Sequence, residues 1–186
     1  MKYIIILILF ISSISIFAQS KWVAGASFNV GFPTGSFSND AKTGIGGSVI
    51  GEYFFSKEFS ALLSVSYQNY PGNFSQLAVQ GKVLDISINS IPVVAGVRYY
   101  IKDGIFTTIE LGSYFFRVNV DASDLYSNDK YSSDYEAKFG GAFGLGYRFN
   151  LSEQSAMEFD GVYQIIQDDL NSVSLRLGIM ILLDKI

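Results

Sequence analysis

An all-β chain, folded as an eight-stranded antiparallel up-and-down transmembrane β-barrel behind a cleaved signal peptide, is the fold class the sequence predicts. Three observations carry that prediction. Strand-length segments recur in which an apolar, aromatic face alternates with glycine, serine and isolated charges; an export-type leader opens the chain; and the connections alternate short and long. The clearest segment runs from Lys138 to Phe149. As a strand it puts Phe139, Phe143, Leu145, Tyr147 and Phe149 on one face, and Lys138, Gly140, Ala142, Gly144, Gly146 and Arg148 on the other. A broad aromatic face backed by glycine and isolated charge suits lipid outside and a narrow polar lumen inside.

The 186 residues suffice for one small closed barrel, residues 19–186, after a leader at 1–18. The leader has one positive charge at Lys2, an apolar run from Tyr3 to Phe17, and a small residue, Ala18, at the expected cut. Removing it leaves 12 basic against 17 acidic residues, a net charge of -5. Charged residues make up 16% of the chain, against a usual value of roughly 25%, too few for an ordinary soluble surface. The acidic balance excludes a nucleic-acid footprint, and the absence of cysteine excludes a disulfide framework.

The strands follow in order. The first, about Lys21 to Gly31, sets Trp22, Ala24, Ala26, Phe28 and Val30 against Val23, Gly25, Ser27 and Asn29. The second, about Gly44 to Phe55, sets Ile45, Val49, Tyr53 and Phe55 against Ser48, Ile50 and Glu52; Ser56-Lys57-Glu58 turns the chain. The third, about Phe59 to Asn69, sets Ala61, Leu63, Val65 and Tyr67 against Ser60, Ser64, Ser66 and Gln68. The fourth, about Val83 to Ile101, has its apolar residues at even positions up to Ile88 and at odd ones from Ile91, which predicts a bulge between Asn89 and Pro92. After the Lys102-Asp103-Gly104 turn, the fifth, about Ile105 to Phe116, turns Ile109, Leu111 and Phe115 away from Glu110, Gly112 and Tyr114. The sixth is the segment already described. The seventh, about Ala156 to Ile166, sets Met157, Phe159, Tyr163 and Ile165 against Glu158, Asp160 and Gln164, and the eighth, about Val173 to Leu183, keeps its apolar residues at odd positions.

Long connections at 32–43, 70–82 and 119–135 alternate with short turns, matching long outer loops and short periplasmic turns. Tyr53, Phe54, Phe55, Phe59, Tyr99, Tyr100, Tyr147 and Phe149 bunch beside the short turns, where an interfacial aromatic girdle is expected.

The segment Gly31-Phe32-Pro33-Thr34-Gly35-Ser36-Phe37, with Ile91-Pro92-Val93 leading into Arg98-Tyr99-Tyr100, resembles the small outer membrane beta-barrel domain family common in Bacteroidota-type bacteria. The resemblance implies a Gram-negative cell outer membrane location and an OmpA/OmpX-like barrel. It implies no single activity, since the family mixes porin-like, adhesive and secretion-associated members. The ending Leu182-Leu183-Asp184-Lys185-Ile186 departs from the aromatic ending of many such barrels, the segment their assembly machinery meets.

With this parity Glu52, Glu110, Glu158 and Asp160 face the lumen together with Arg98, Lys138, Arg148 and Arg176. Buried charges must pair, so a charge network that plugs the lumen is expected; a gate over a thin aqueous path is the alternative. With no histidine and no cysteine, the usual general base, thiol nucleophile and soft metal ligands are missing; no enzyme and no cofactor are expected. The third long loop interleaves Asp121, Asp124, Asp129 and Asp134 with Tyr126, Tyr131 and Tyr135, a composition that grips partners or holds calcium through oxygens. Arg117, at the outer end of the fifth strand, either meets lipid phosphate or marks a parity slip. The expected protein is a monomer in contact with outer membrane lipid and surface glycolipid. Its role is structural or partner-binding, with a low-conductance porin-like channel and a secretion-system helper barrel as alternatives.

Overall fold

The computed structural model describes residues 21–73, 78–79, 82–83, 85–121 and 130–183; the expected leader at 1–18 lies outside them. Eight long strands are present: β1 (Lys21–Pro33), β2 (Gly44–Phe54), β3 (Phe59–Pro71), β4 (Asp85–Lys102), β5 (Ile105–Asp121), β6 (Glu136–Asn150), β7 (Ser155–Ile166) and β8 (Ser172–Leu182). Each pairs antiparallel with its sequence neighbours, and β1 pairs with β8 from Val23–Leu182 to Pro33–Ser172, which closes the sheet into a barrel. Closure leaves no free edge along the wall. A ladder path from Thr107 passes Leu145, Gly161, Leu175, Val30, Ile45, Asn69 and Asn89 and returns to β5 at Arg117, a stagger of ten residues. Such a stagger requires tilted strands.

The predicted alternation is realised in every strand except the first half of β4. Outward residues such as Phe139 (63% exposed) and Ile109 (62%) form an apolar wall, while inward Glu52 and Arg98 are fully buried. At one end the turns are short. Asp103 and Gly104 both take positive φ, 49° and 90°, the two-residue hairpin turn that an Asp-Gly pair favours. The Ser56 hydroxyl accepts the Glu58 and Phe59 amides, and the Ser152 hydroxyl accepts those of Gln154 and Ser155.

The bulge expected between Asn89 and Pro92 is not there. β3 and β4 keep one register on both sides of that stretch, from Phe59–Tyr99 to Pro71–Ser87, and the ladder with β5 shifts only between Tyr100 and Lys102. The apolar residues change parity because the lumen changes character: Ile88 faces inward like Val94, and packs on a hydrophobic cluster at the long-loop end. Two members of the expected girdle also face inward. Phe54 packs beneath the lumen, and Tyr100 donates to Glu52 at 2.8 Å. The others behave as outward pairs, Trp22 against Tyr53, Phe55 and Tyr99 against Phe59, and Tyr147 against Phe149.

Candidate functional site

The lumen is filled at two levels. Nearer the short turns, six strands send charged side chains inward. Arg176 of β8 grips Asp160 of β7 with Nε (2.7 Å) and Nη2 (2.9 Å), and Glu110 of β5 with Nη1 (3.3 Å) and Nη2 (2.9 Å). Asp160 lies 3.6 Å from Arg98 of β4, which joins both halves of the network. Arg98 in turn meets Glu158 of β7 at 2.9 and 3.0 Å and Glu52 of β2 at 3.5 Å. Arg148 of β6 completes it, donating from Nε to Glu158 at 2.8 Å and from Nη2 to both Glu158 and Glu52.

Lys138, the eighth residue expected here, is placed elsewhere. It stands ten residues from Arg148 along the same strand, roughly 34 Å at 3.4 Å per residue. There it pairs with Glu136 and, at 2.6 Å, with Asp168. Four carboxylates therefore face three guanidinium groups. Neutral donors meet the excess: Ser60 donates to Glu52 at 2.5 Å beside Tyr100. Rings complete the desolvated shell, with the Arg98 guanidinium 4.5 Å from the Phe106 centroid and that of Arg148 5.4 Å from Tyr100.

At the long-loop end the lumen holds an aromatic plug instead. Loop 34–43 makes one helical turn, Phe37–Asp40, and folds Phe37 into the mouth, where it is 1% exposed. Its ring meets Tyr70 and Phe116 edge-on at 5.2 and 6.1 Å, with Tyr114, Val94, Ile166 and Ala41 around them. Asn73 pins the loop by donating to the carbonyls of Ser38 (2.7 Å) and Asn39 (3.0 Å), and its own amide reaches Asp40.

The inward glycines make room for these side chains. A Cβ on Gly44 would come within 2.4 Å of Tyr70, and one on Gly146 within 2.3 Å of Phe106 and 2.6 Å of Asp160. Between the levels lies a polar layer in which Gln68 donates to Ser174 at 3.0 Å and Ser172 to Gln164 at 2.7 Å.

The aromatic cluster of Phe37, Tyr70 and Tyr114 was not among the sequence candidates. Phe37 reads as an ordinary loop residue, and what could have singled out the tyrosines was the run of glycines facing them across the ladder. In the third long loop, β5 continues to Asp121 and pairs with a short strand, Lys130–Ser132, so the expected start at Asn119 falls inside the strand. Tyr131 is 70% exposed and Tyr135 45%. Asp124, Tyr126 and Asp129 lie outside the described residues. Among the described residues no cluster of three or more metal-ligating side chains occurs. Arg117 does not mark a slip: it pairs in register with Asn89, faces outward, and lies 5.4 Å from the Tyr135 ring.

Comparison with solved structures finds the same fold. Ail of Yersinia pestis, solved with the heparin analogue sucrose octasulfate, superposes with a TM-score of 0.56 at 16% identity, covering 87% of this chain and 96% of that one. Neisserial surface protein A superposes with a TM-score of 0.57 at 13% identity, covering 88% and 99%. A search of curated proteins returned no match. The family model for the outer membrane protein beta-barrel domain matches residues 4–180. This match spans nearly the whole closed wall, and the chain belongs to the outer membrane protein beta-barrel domain family, residing in the outer membrane.

Proposed function

We propose that this barrel is a closed scaffold that acts through its extracellular loops, with residues 1–18 as the export leader and a single chain as the working unit. The observation that carries the proposal is closure of the lumen at two levels by unrelated means, an ion-pair network and an aromatic plug. A barrel filled in this way has little to pass, and what it offers another molecule is its outer end. The short ladder between the end of β5 and Lys130–Ser132 carries Tyr131, and Tyr135 follows it, both exposed. Rigid, amphipathic tyrosines are effective contact residues because they lose little side-chain entropy on binding.

Charge separates this surface from one made for sulfated sugars, the ligand class seen with Ail. The stretch 121–134 carries Asp121, Asp124, Asp129 and Asp134, and the chain without residues 1–18 has 12 basic against 17 acidic residues, a net charge of -5, which disfavours a polyanion at this loop. The expected partner is a protein surface presenting basic and apolar side chains. The test uses the refolded protein in lipid nanodiscs, challenged with fluorescent oligolysine-aromatic peptides and with sucrose octasulfate. Salt-sensitive binding of the basic peptides, lost when 122–129 is replaced by a short glycine-serine link, is expected. Preferential binding of the sulfated sugar, or peptide binding that survives loop replacement, would contradict the proposal.

A further inference from the structure

The outer wall carries a cation that neither lumen level uses. Between Ile105 and Phe115 every outward residue of β5 is uncharged: Ile105, Thr107, Ile109, Leu111, Ser113 and Phe115. Those 11 positions match the 9 to 11 strand residues that span a bilayer. The next outward residue is Arg117. The ladder ring described above gives an independent measure of height. It passes Thr107, Leu145, Gly161, Leu175, Val30 and Ile45 without a charge or an amide side chain, and then, as the stagger lifts it, reaches Asn69, Asn89 and Arg117.

At that height the arrangement is built rather than scattered. Asn69 donates to Asn89 at 2.6 Å, Asn89 is the ladder partner of Arg117, and the Arg117 guanidinium is set against the Tyr135 ring. Among the described residues no carboxylate lies within ion-pair distance of Arg117, and its Nε has no hydrogen-bond partner. A guanidinium held on a ring at the edge of hydrocarbon, with no counter-ion among the described residues, is placed to receive an anion from outside the chain. Toward the membrane the wall opens into an apolar groove of about 690 Å³ over Gly141, flanked by Leu111, Phe139, Phe143 and Ile165. Asp168 and Asp169 lie at its upper rim, and Asp168 is held by Lys138.

From this juxtaposition we infer that Arg117, with Tyr135 and the Asn69–Asn89 pair, is a docking site for a phosphate-bearing headgroup of an outer-leaflet lipid. The acyl chain of that lipid occupies the groove beside Gly141. A free phosphate would use only the first half of the site.

The test is native mass spectrometry of the protein released from nanodiscs of phosphatidylcholine doped with equal amounts of phosphorylated and dephosphorylated lipid A. A charge-assisted hydrogen bond at such an interface predicts about tenfold enrichment of the phosphorylated form. Arg117→Gln is expected to abolish the enrichment, Arg117→Lys to keep much of it, and Tyr135→Leu to lower it severalfold. Lys102→Gln, in the opposite turn, should leave it unchanged. Inorganic phosphate added alone should not displace the lipid. No enrichment in the unaltered protein, enrichment that survives Arg117→Gln, or displacement by inorganic phosphate would each overturn the assignment.

Discussion

The two ends of the lumen solve one problem with opposite chemistry, and the difference follows from what the chain can bring to each. At the long-loop end a loop is long enough to fold back, so closure comes from outside the wall: Phe37 enters on its own helical turn and meets Tyr70 and Phe116. At the short-turn end no connection can reach inward. Closure there must come from strand residues alone, and arginine, the longest of them, spans the lumen and carries several donors to distant carboxylates. Phe37 hangs on a loop, whereas the ion pairs cross-link β2, β4, β5, β6, β7 and β8.

The contrast is broken most severely by removing a shared member of the network. Arg98→Met strips Glu52 and Glu158 of a partner in a desolvated site and is expected to cost about 3–5 kcal/mol, read from the urea unfolding midpoint in lipid vesicles. Replacing the whole charged set with packed apolar residues should cost far less, because the penalty lies in the orphaned charge.

Next in size is Gly146→Ala, which pushes a methyl group against Phe106 and Asp160 and so strains the charged level sterically. About 1–3 kcal/mol is expected by the same assay. Phe37→Ala should cost less than the ~3–5 kcal/mol of a buried core phenylalanine, about 1–2 kcal/mol, because the loop opens without unfolding the wall. Its sharper signature is protease cleavage within 34–43. The smallest effect belongs to Asn73→Ala, about 0.5–1 kcal/mol from exposed hydrogen bonds, with the same increase in cleavage and no change in the wall.

What the sequence disclosed follows from the same contrast. Period-two alternation is strictest where one face meets lipid, so strand parity, and with it Glu52, Arg98, Glu110, Arg148, Glu158, Asp160 and Arg176, could be read residue by residue. Parity does not report height. Lys138 shares the face of Arg148 yet belongs to the rim, where it holds Glu136 and Asp168. The aromatic plug was hidden for a different reason: inward apolar residues in β4 look like a register change when the lumen is assumed to be polar throughout. Ile88 facing a buried cluster and a bulge that flips Ile88 outward leave the same pattern in the chain, and only the unshifted β3–β4 register separates them.

Closure at two independent levels is tested most directly by single-channel conductance in planar bilayers. Four refolded proteins suffice: the unaltered chain, Phe37→Ala, the charge-neutral pair Glu52→Gln with Arg98→Gln, and the combination. Silence is predicted for the first three and reproducible current steps for the combination alone. Steps from the unaltered protein, or from either single-level variant, would contradict it.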